Sequence, residues 1–271
     1  HLQALNSYEN RVYQIGLEDG TKIIAKFYRP ERLTDAAILE EHAFGAELAE
    51  REIPVVAALV LAGKTLHEYQ GFRFAVYARR GGRPPELEDE AVLERIGLFL
   101  GRIHAVGSLR PFKVRPALNI ETFGTEPRDW LLASGMIPED LKNTWVTTVD
   151  LALQGARNWF ERTEQVRAIR LHGDCHVGNI LWTIEGNRAG APGGPHFVDL
   201  DDARMGPAVQ DLWMLLAGDR ETAAKQLKAL LDGYEQFHGF NREQLGLIEP
   251  LRTLRLIHYS AWLARRWEDP A

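Results

Sequence analysis

His172-Gly173-Asp174-Cys175-His176-Val177-Gly178-Asn179 gathers two imidazoles, a carboxylate, a thiol and an amide in one short stretch, and Asp199 follows inside the apolar run Phe197-Val198-Asp199-Leu200. The chemistry such a set can perform is phosphoryl transfer. That reaction needs a carboxylate beside the acceptor hydroxyl, oxygen ligands that hold magnesium on a nucleotide, and positive charge against the triphosphate. Asp174 is placed to take the hydroxyl proton, Asn179 can offer an amide oxygen to a metal, and Asp199 can add a carboxylate. Two plainer readings stand beside this one. His172, Asp174, Cys175 and His176 are ligand types that zinc accepts, although the chain has a single Cys and zinc would not require Asn179 or Asp199. The stretch could also be a structural loop, but unpaired carboxylates crowded between apolar runs are costly without a metal or a task.

The elements that must position these groups fall into two sets. Before residue 80, short β-rich runs alternate with turn signals. Arg11 to Leu17 reads as a strand, Glu18-Asp19-Gly20 as a hairpin turn, and Lys22 to Tyr28 as a second strand. A helix is expected from about Asp35 to Arg51, capped by Thr34 or Asp35, with Ile38, Glu41, Phe44 and Leu48 on one stripe. Glu41 is the odd member of an apolar face and is expected to pair with Lys26, bringing the ammonium to nucleotide phosphates. Glu40 takes the role if the phase is off by one. The plainer alternative is an exposed Lys26 and a solvated Glu41. Asn6-Ser7-Tyr8-Glu9-Asn10 lies where a loop would cover the phosphates, and without a Gly it must use backbone N–H groups and the Ser7 hydroxyl, or else be a simple hairpin turn. Phe72 to Tyr77 is a further strand, and the segment Val76 to Arg80 is where an adenine would lie. Arg79-Arg80-Gly81-Gly82-Arg83-Pro84-Pro85 ends the first unit.

The second unit reads as mainly helical. Asp89 to Val106 carries Val92, Ile96, Phe99, Leu100 and Ile103 at helical spacing, with His104 as a hydrogen-bonded packing residue at its margin. Further helices are expected near Trp130 to Leu132, Pro138 to Arg162, Gln210 to Leu216, Glu221 to Tyr234 and Leu247 to Trp267. Between them Ile169 to Leu171 leads into the polar loop and Ile180 to Thr183 leaves it. A turn over Gly186 to Pro195 follows, and His196 to Leu200 returns as a strand carrying Asp199. Such a hairpin turns Asn179 and Asp199 toward one cleft. Asp201, Asp202 and Arg204, with Arg252, Arg255, His258, Tyr259, Trp262, Arg265 and Arg266 of the last helix, read as a solvated face; the alternative is a surface for an acidic or phosphorylated peptide.

Composition bounds the rest. The chain has 271 residues, 45% hydrophobic and 26% charged, which is ordinary for a globular protein able to bury a sizeable core. Its net charge of −6 gives no global basic field for nucleic acid. The lone Cys175 excludes an internal disulfide and fits a reducing cytoplasm. No apolar run is long enough for a membrane span, and His1 to Asn6 carries neither the basic stretch nor the apolar segment of a secretory signal. A cytoplasmic monomer without membrane or nucleic-acid partners is expected.

His172-Gly173-Asp174 to Asn179, followed by Phe197-Val198-Asp199, Gly206-Pro207 and Asp211, resembles the aminoglycoside phosphotransferase and choline kinase superfamily, and the His-x-Asp-x4-Asn spacing with a later Asp resembles the catalytic loop and metal-binding Asp of protein kinases. Within that superfamily, Asn6 to Tyr13, Lys26 to Arg32 and Val198 to Leu216 resemble the stress response kinase A family. The likeness covers nearly the whole chain. It implies an α+β, two-lobed protein-kinase-like fold: a small antiparallel-sheet N-terminal lobe with one helix, residues 1–80, and a larger mainly helical C-terminal lobe, residues 81–271. It further implies a serine/threonine protein kinase of a bacterial stress response that uses ATP and Mg2+ and autophosphorylates. Asp174 would be the proton acceptor and Asp199 the second catalytic carboxylate, with Asn179 and Asp199 as magnesium ligands. Ser7 would contact ATP, Lys26 with Glu41 would serve the nucleotide as in the wider fold, and Asp211 would brace the catalytic loop. The missing glycine-rich loop, and Val-Asp-Leu where protein kinases have Asp-Phe-Gly, depart from the protein-kinase pattern and speak against the usual activation-loop switch. The acceptor would be a protein Ser/Thr or a small-molecule alcohol. For a cationic alcohol, Asp201, Asp202, Trp213 and Trp262 could line the pocket. A nucleotide-binding pseudokinase is a third reading, against which the intact set Lys26, Asp174, Asn179 and Asp199 argues.

Overall fold

Alternating β-branched and aromatic runs joined by tight turns build an antiparallel sheet at the N-terminal end. In the computed structural model, which describes residues 1–7, 9–163, 165–184 and 193–269, the strands are β1 (Leu2–Leu5), β2 (Arg11–Gly16) and β3 (Lys22–Phe27), then β4 (His67–Tyr69) and β5 (Phe72–Ala78) after the helix α1 (Asp35–Glu50). Their order is β1-β2-β3-β5-β4, so β3 is central and Lys26 sits between Val12 and Ala75. The β2–β3 turn is set by Gly20 at φ 84° and by Asp19, whose carboxylate accepts the Thr21 N–H at 2.8 Å. Thr34 caps α1 by accepting the Ala37 N–H at 3.2 Å, and Ile38, Glu41, Phe44 and Leu48 are all buried, as their spacing predicts.

The larger part comprises α2 (Glu90–Gly107), α3 (Glu126–Ser134), α4 (Glu139–Arg162), β6 (Ile169–Leu171), β7 (Ile180–Thr183), β8 (Gly194–Phe197), β9 (Arg204–Gly206), α5 (Val209–Trp213), α6 (Arg220–Tyr234) and α7 (Ile248–Arg265). β6 pairs with β9 and β7 with β8, each antiparallel. Residues 185–192 of the expected Gly186 to Pro195 turn lie outside the described residues, as does Tyr8 of the Asn6 to Asn10 loop. The strand expected to carry Asp199 ends before it. β8 stops at Phe197, and Asp199 stands beyond it at φ 61°, a left-handed conformation that an extended strand cannot contain.

The main core is built on Ile96, Leu100 and Ile103 of α2 with Leu230, Leu251 and Leu254, and α1 contributes Phe44 and Leu48 to it. α1 is also fastened to the larger part by polar contacts. Glu40 accepts the Lys113, Val114 and Arg115 N–H groups at 2.6, 3.0 and 3.0 Å, and Glu47 pairs with Arg170 of β6 at 2.8 Å.

α2 and α6 pack backbone to backbone through Gly97 and Gly101. A Cβ at Gly101 would run into the Tyr234 carbonyl, and one at Gly97 into that of Leu230. Gly101→Ala is therefore expected to destabilise the fold by about 1–3 kcal/mol through overpacking. Gly155→Ala on α4, where a Cβ meets nothing within 4 Å, should be neutral or slightly stabilising; urea midpoints of the two variants against the parent check the difference.

Candidate active site

The polar loop leaves β6 under the control of one buried carboxylate. Asp211 of α5 accepts the His172 N–H on Oδ2 and the Gly173 N–H on Oδ1, both at 2.8 Å. The sequence resemblance implied this brace; its own support comes from further away. His104 Nε2 donates to Asp211 Oδ2 at 3.0 Å, and the Tyr234 hydroxyl donates to His104 Nδ1 at 2.9 Å. All three side chains are buried. His104 is thus the hydrogen-bonded packing residue its position suggested, and the close α2–α6 contact is what brings Tyr234 to it. Gly173, at φ 87°, has no room for a side chain because a Cβ would strike the Asp202 carbonyl.

The same loop is knotted to the segment carrying Asp199. His172 Nε2 donates to the Val198 carbonyl at 2.9 Å, the Val198 N–H donates to the Asn179 carbonyl at 3.0 Å, and Ile180 pairs with Phe197. Asn179 Nδ2 in turn donates to the Asp174 carbonyl at 2.9 Å, which leaves the amide oxygen of Asn179 unengaged among the described residues. Asp174, Asn179 and Asp199 therefore issue from one small network of backbone hydrogen bonds. Against the loss of hydration there, His176 and Arg255 hold the Asp174 carboxyl below the usual carboxylate range.

Lys26 reaches this network from the sheet. Its Nζ lies 3.0 Å from Asp199 Oδ1 and 2.6 Å from Asp201 Oδ1. Burial would depress the ammonium, yet Asp199 and Asp201 outweigh it and hold Lys26 well above its ordinary value. The side chain of Asp199 remains 48% exposed, with Oδ2 turned to no described partner. The expected Lys26–Glu41 pair is not formed. The two aspartates past β8 are nearer to the ammonium, and Glu41 is left buried with His42 at 3.7 Å as its nearest basic group. Burial pushes the Glu41 carboxyl up to about 7 even with Lys26 pulling the other way, and pushes His42 down to about 4, so the two do not form a charged pair. Glu40, the alternative partner, is committed to the backbone of residues 113–115.

Around Lys26 the structure adds residues that sequence reasoning did not single out. Asn10, buried at the end of the Ser7 loop, donates to Asp201 Oδ2 and accepts the Arg29 N–H at 3.1 Å, while Ser7 Oγ accepts the Asn10 N–H at 3.3 Å. Arg115 donates to the Asp201 and Ala203 carbonyls, and to that of Ala37 at 2.9 Å. Arg32 pairs with Glu9 at 3.2 Å and Asp202 at 3.1 Å. No local signal marks Asn10 or Arg115; their partners are far away in the chain. The solvated face expected for Asp201, Asp202 and Arg204 is likewise not found. Asp201 and Arg204 are buried, and the partly buried Asp202, flanked by Arg32 and Arg204, is held far below the usual range. The residues considered for a cation pocket, Asp201, Asp202, Trp213 and Trp262, already carry cations of this chain. Arg252 covers Trp213, Arg266 covers Trp262, and both aspartates already face basic side chains. Among the described residues no group of three or more His, Cys, Asp or Glu is arranged to hold a metal, and Cys175 is buried in the core, so the zinc alternative has no ligand set.

A model of the phosphotransferase enzyme family matches residues 1–248. The chain belongs to that family. It is 46% identical over 271 residues to stress response kinase A of Escherichia coli strain K12, covering 100% of this chain and 79% of the relative. To the serine/threonine protein kinase RdoA of Salmonella typhimurium strain LT2 it is 45% identical over 270 residues, with the same coverage. Among solved structures, an amicoumacin kinase superposes with a TM-score of 0.76 at 20% identity over 99% of this chain and 82% of that one. A microcompartment-associated aminopropanol kinase gives 0.72 at 18% identity over 97% and 83%. The fold is accordingly the two-lobed kinase-like fold that the sequence resemblance implied, and the chain is a kinase-type phosphotransferase. No helix among the described residues of this phosphotransferase is long and apolar enough to cross a membrane.

The raised Glu41 has a thermodynamic consequence. Between the ordinary carboxylate value and about 7 the folded state holds a proton that the unfolded chain has lost, so stability falls as pH rises through that window. Glu41→Gln, which mimics the protonated form, should raise Tm at pH 8 by several degrees, at roughly 2–4 °C per kcal/mol for a chain of this size. The gain should shrink as pH falls and vanish only below the ordinary carboxylate value, near pH 4; differential scanning calorimetry at pH 8 and pH 4 reads it.

Proposed function

We propose that this phosphotransferase is an ATP- and magnesium-dependent serine/threonine protein kinase of a bacterial stress response, acting in the cytoplasm and phosphorylating itself as well as other proteins. ATP lies between residues 1–80 and residues 81–271. The observation that carries this reading is the meeting of Lys26 with Asp199 at 3.0 Å, which brings a cation from the sheet to the network that holds Asp174 and Asn179. ATP is the donor of choice because the superposed amicoumacin kinase was solved with AMP-PNP.

The donor atoms suit a hard divalent cation that is bound by few protein oxygens and completed by phosphates and water. Asn179 through its unengaged amide oxygen and Asp199 through Oδ2 would hold magnesium, which when bound offsets charge on the triphosphate. Lys26, released from its carboxylate partners by phosphate oxygens, adds fixed positive charge to the phosphates. Ser7, whose Oγ accepts from Asn10, keeps its hydroxyl proton free to donate to phosphate. Asp174 orients the acceptor hydroxyl and takes its proton.

A protein acceptor is favoured over a cationic small molecule by charge. Glu9, Asp174 and Asp202 are each already matched by an arginine: Arg32, Arg255 and Arg204. A cationic alcohol needs carboxylates it can claim for itself, whereas a seryl or threonyl hydroxyl does not. One named relative is itself called a serine/threonine protein kinase.

The test is transfer from γ-labelled ATP with magnesium to proteins and, separately, to choline-, homoserine- and aminoglycoside-type alcohols. Label on Ser/Thr of proteins, including this chain, is expected; label confined to the small alcohols would assign the small-molecule reading. Asp174→Ala should cut turnover by about a hundredfold to ten-thousandfold, the range usual for one acid–base group, and Asp199→Ala should abolish the label on every acceptor.

A further inference from the structure

α7 brings one arginine against Asp174. Arg255 Nη2 lies 2.9 Å from Asp174 Oδ1. The other carboxylate oxygen, Oδ2, has looser neighbours, His176 Nε2 and Asn179 Nδ2, each at 3.5 Å. We propose that Arg255 is a positioning residue for phosphoryl transfer: it grips Oδ1 so that Oδ2 is the oxygen presented to the acceptor hydroxyl. This rests on the reading of Asp174 as the proton acceptor.

The physical need is rotational. The terminal torsion of an aspartate is broad and two-fold, so an unheld carboxylate turns readily. Arg255 meets Oδ1 as an ion pair without hydrogen-bond alignment, and a guanidinium held 2.9 Å away favours the carboxylate orientation that keeps that oxygen toward it. Stability is a poor explanation for the contact, because Arg255 is 35% exposed and ion pairs at that exposure contribute little. The other arginines nearby have carboxylates of their own: Arg252 pairs with Glu249, Arg204 with Asp202 and Arg266 with Glu9.

The helix that presents Arg255 is itself held on both sides of it. Leu251, Leu254, Ile257 and Ala261 are buried on its inner face. His258 stacks on Phe123 with ring centroids 4.2 Å apart, and the guanidinium of Arg204 lies 4.7 Å from that Phe123 ring. Farther along, Trp262 and Arg266 donate to Glu9 in the Ser7 to Asn10 loop. Arg255 thus approaches Asp174 from a rigid base. As the acceptor oxygen bonds to the γ-phosphorus and the bond to the β-phosphate oxygen breaks, the hydroxyl proton passes to Oδ2 and ADP leaves, while Arg255 stays on Oδ1.

The test compares Arg255→Met and Arg255→Lys in the parent and in Asp174→Asn, reading kcat, the KM for ATP and Tm. Arg255→Met should lower kcat about tenfold to a hundredfold, the scale of an ångström-level misplacement, with KM for ATP and Tm unchanged. Arg255→Lys should recover part of the loss, and in Asp174→Asn the Met substitution should cost nothing further. A parental kcat in Arg255→Met, a loss that only follows the folded fraction, or an equal fold-loss in the Asp174→Asn background overturns the proposal. A parental rate in Asp174→Asn alone would instead sink the reading of Asp174, which separates the two failures.

Discussion

Asp211 accepts hydrogen bonds from two consecutive backbone N–H groups, those of His172 and Gly173, at the point where the chain leaves β6 and turns toward Asp174. A buried carboxylate is costly unless its lone pairs are filled, and here the two amides and His104 fill them. The arrangement has few alternatives. Moving the loop would strand a charge in the core, and moving α5 would strand two amides. The rest of the site inherits this fixity through His172, whose imidazole reaches the Val198 carbonyl and so sets the residue before Asp199.

Onto this fixed half the sheet and its loops lay a set of complementary charges. Lys26, Arg32 and Asn10 all reach the segment 199–202, and Glu9 reaches α7. Pairs of this kind add little net stability, because desolvation offsets most of the Coulomb attraction, but they are specific about geometry. They fix the ammonium of Lys26 between Asp199 and Asp201. α1 shares in the constraint from the other side. With Glu40 on three backbone amides and Glu47 on Arg170, it cannot shift relative to β6 without breaking those contacts. This differs from the mobile helix through which protein kinases are commonly switched, and it agrees with the absence of an Asp-Phe-Gly signature.

Local patterns in the sequence were enough to locate the scaffold. The apolar stripe of α1, the Thr34 cap, the helical spacing of α2, and the long helices α4, α6 and α7 all follow from periodicities that neighbouring residues express. The spacing of Asp174 and Asn179 was legible for the same reason, since both belong to one turn of chain. What was not legible depends on which distant group arrives first. Three acidic residues stand within four positions at 199–202, and the left-handed turn at Asp199 decides that two of them, Asp199 and Asp201, face Lys26. Nothing beside Lys26 announces that choice, so Glu41 on its apolar stripe looked the better partner. The arginines of α7 and its C-terminal cap misled in the opposite way: a charged helix usually faces water, but Arg255 and Arg266 turn toward Asp174 and Glu9, which receive them.

The central claim is that the loop bearing Asp174 is held in place before any nucleotide arrives. Amide hydrogen exchange at His172 and Gly173, followed with and without Mg·ATP, tests it most directly. If Asp211 holds the loop as described, both amides exchange only as slowly as the whole chain unfolds, and nucleotide leaves their opening unchanged relative to that global limit. Fast exchange in the free protein, slowed only once nucleotide binds, would contradict it.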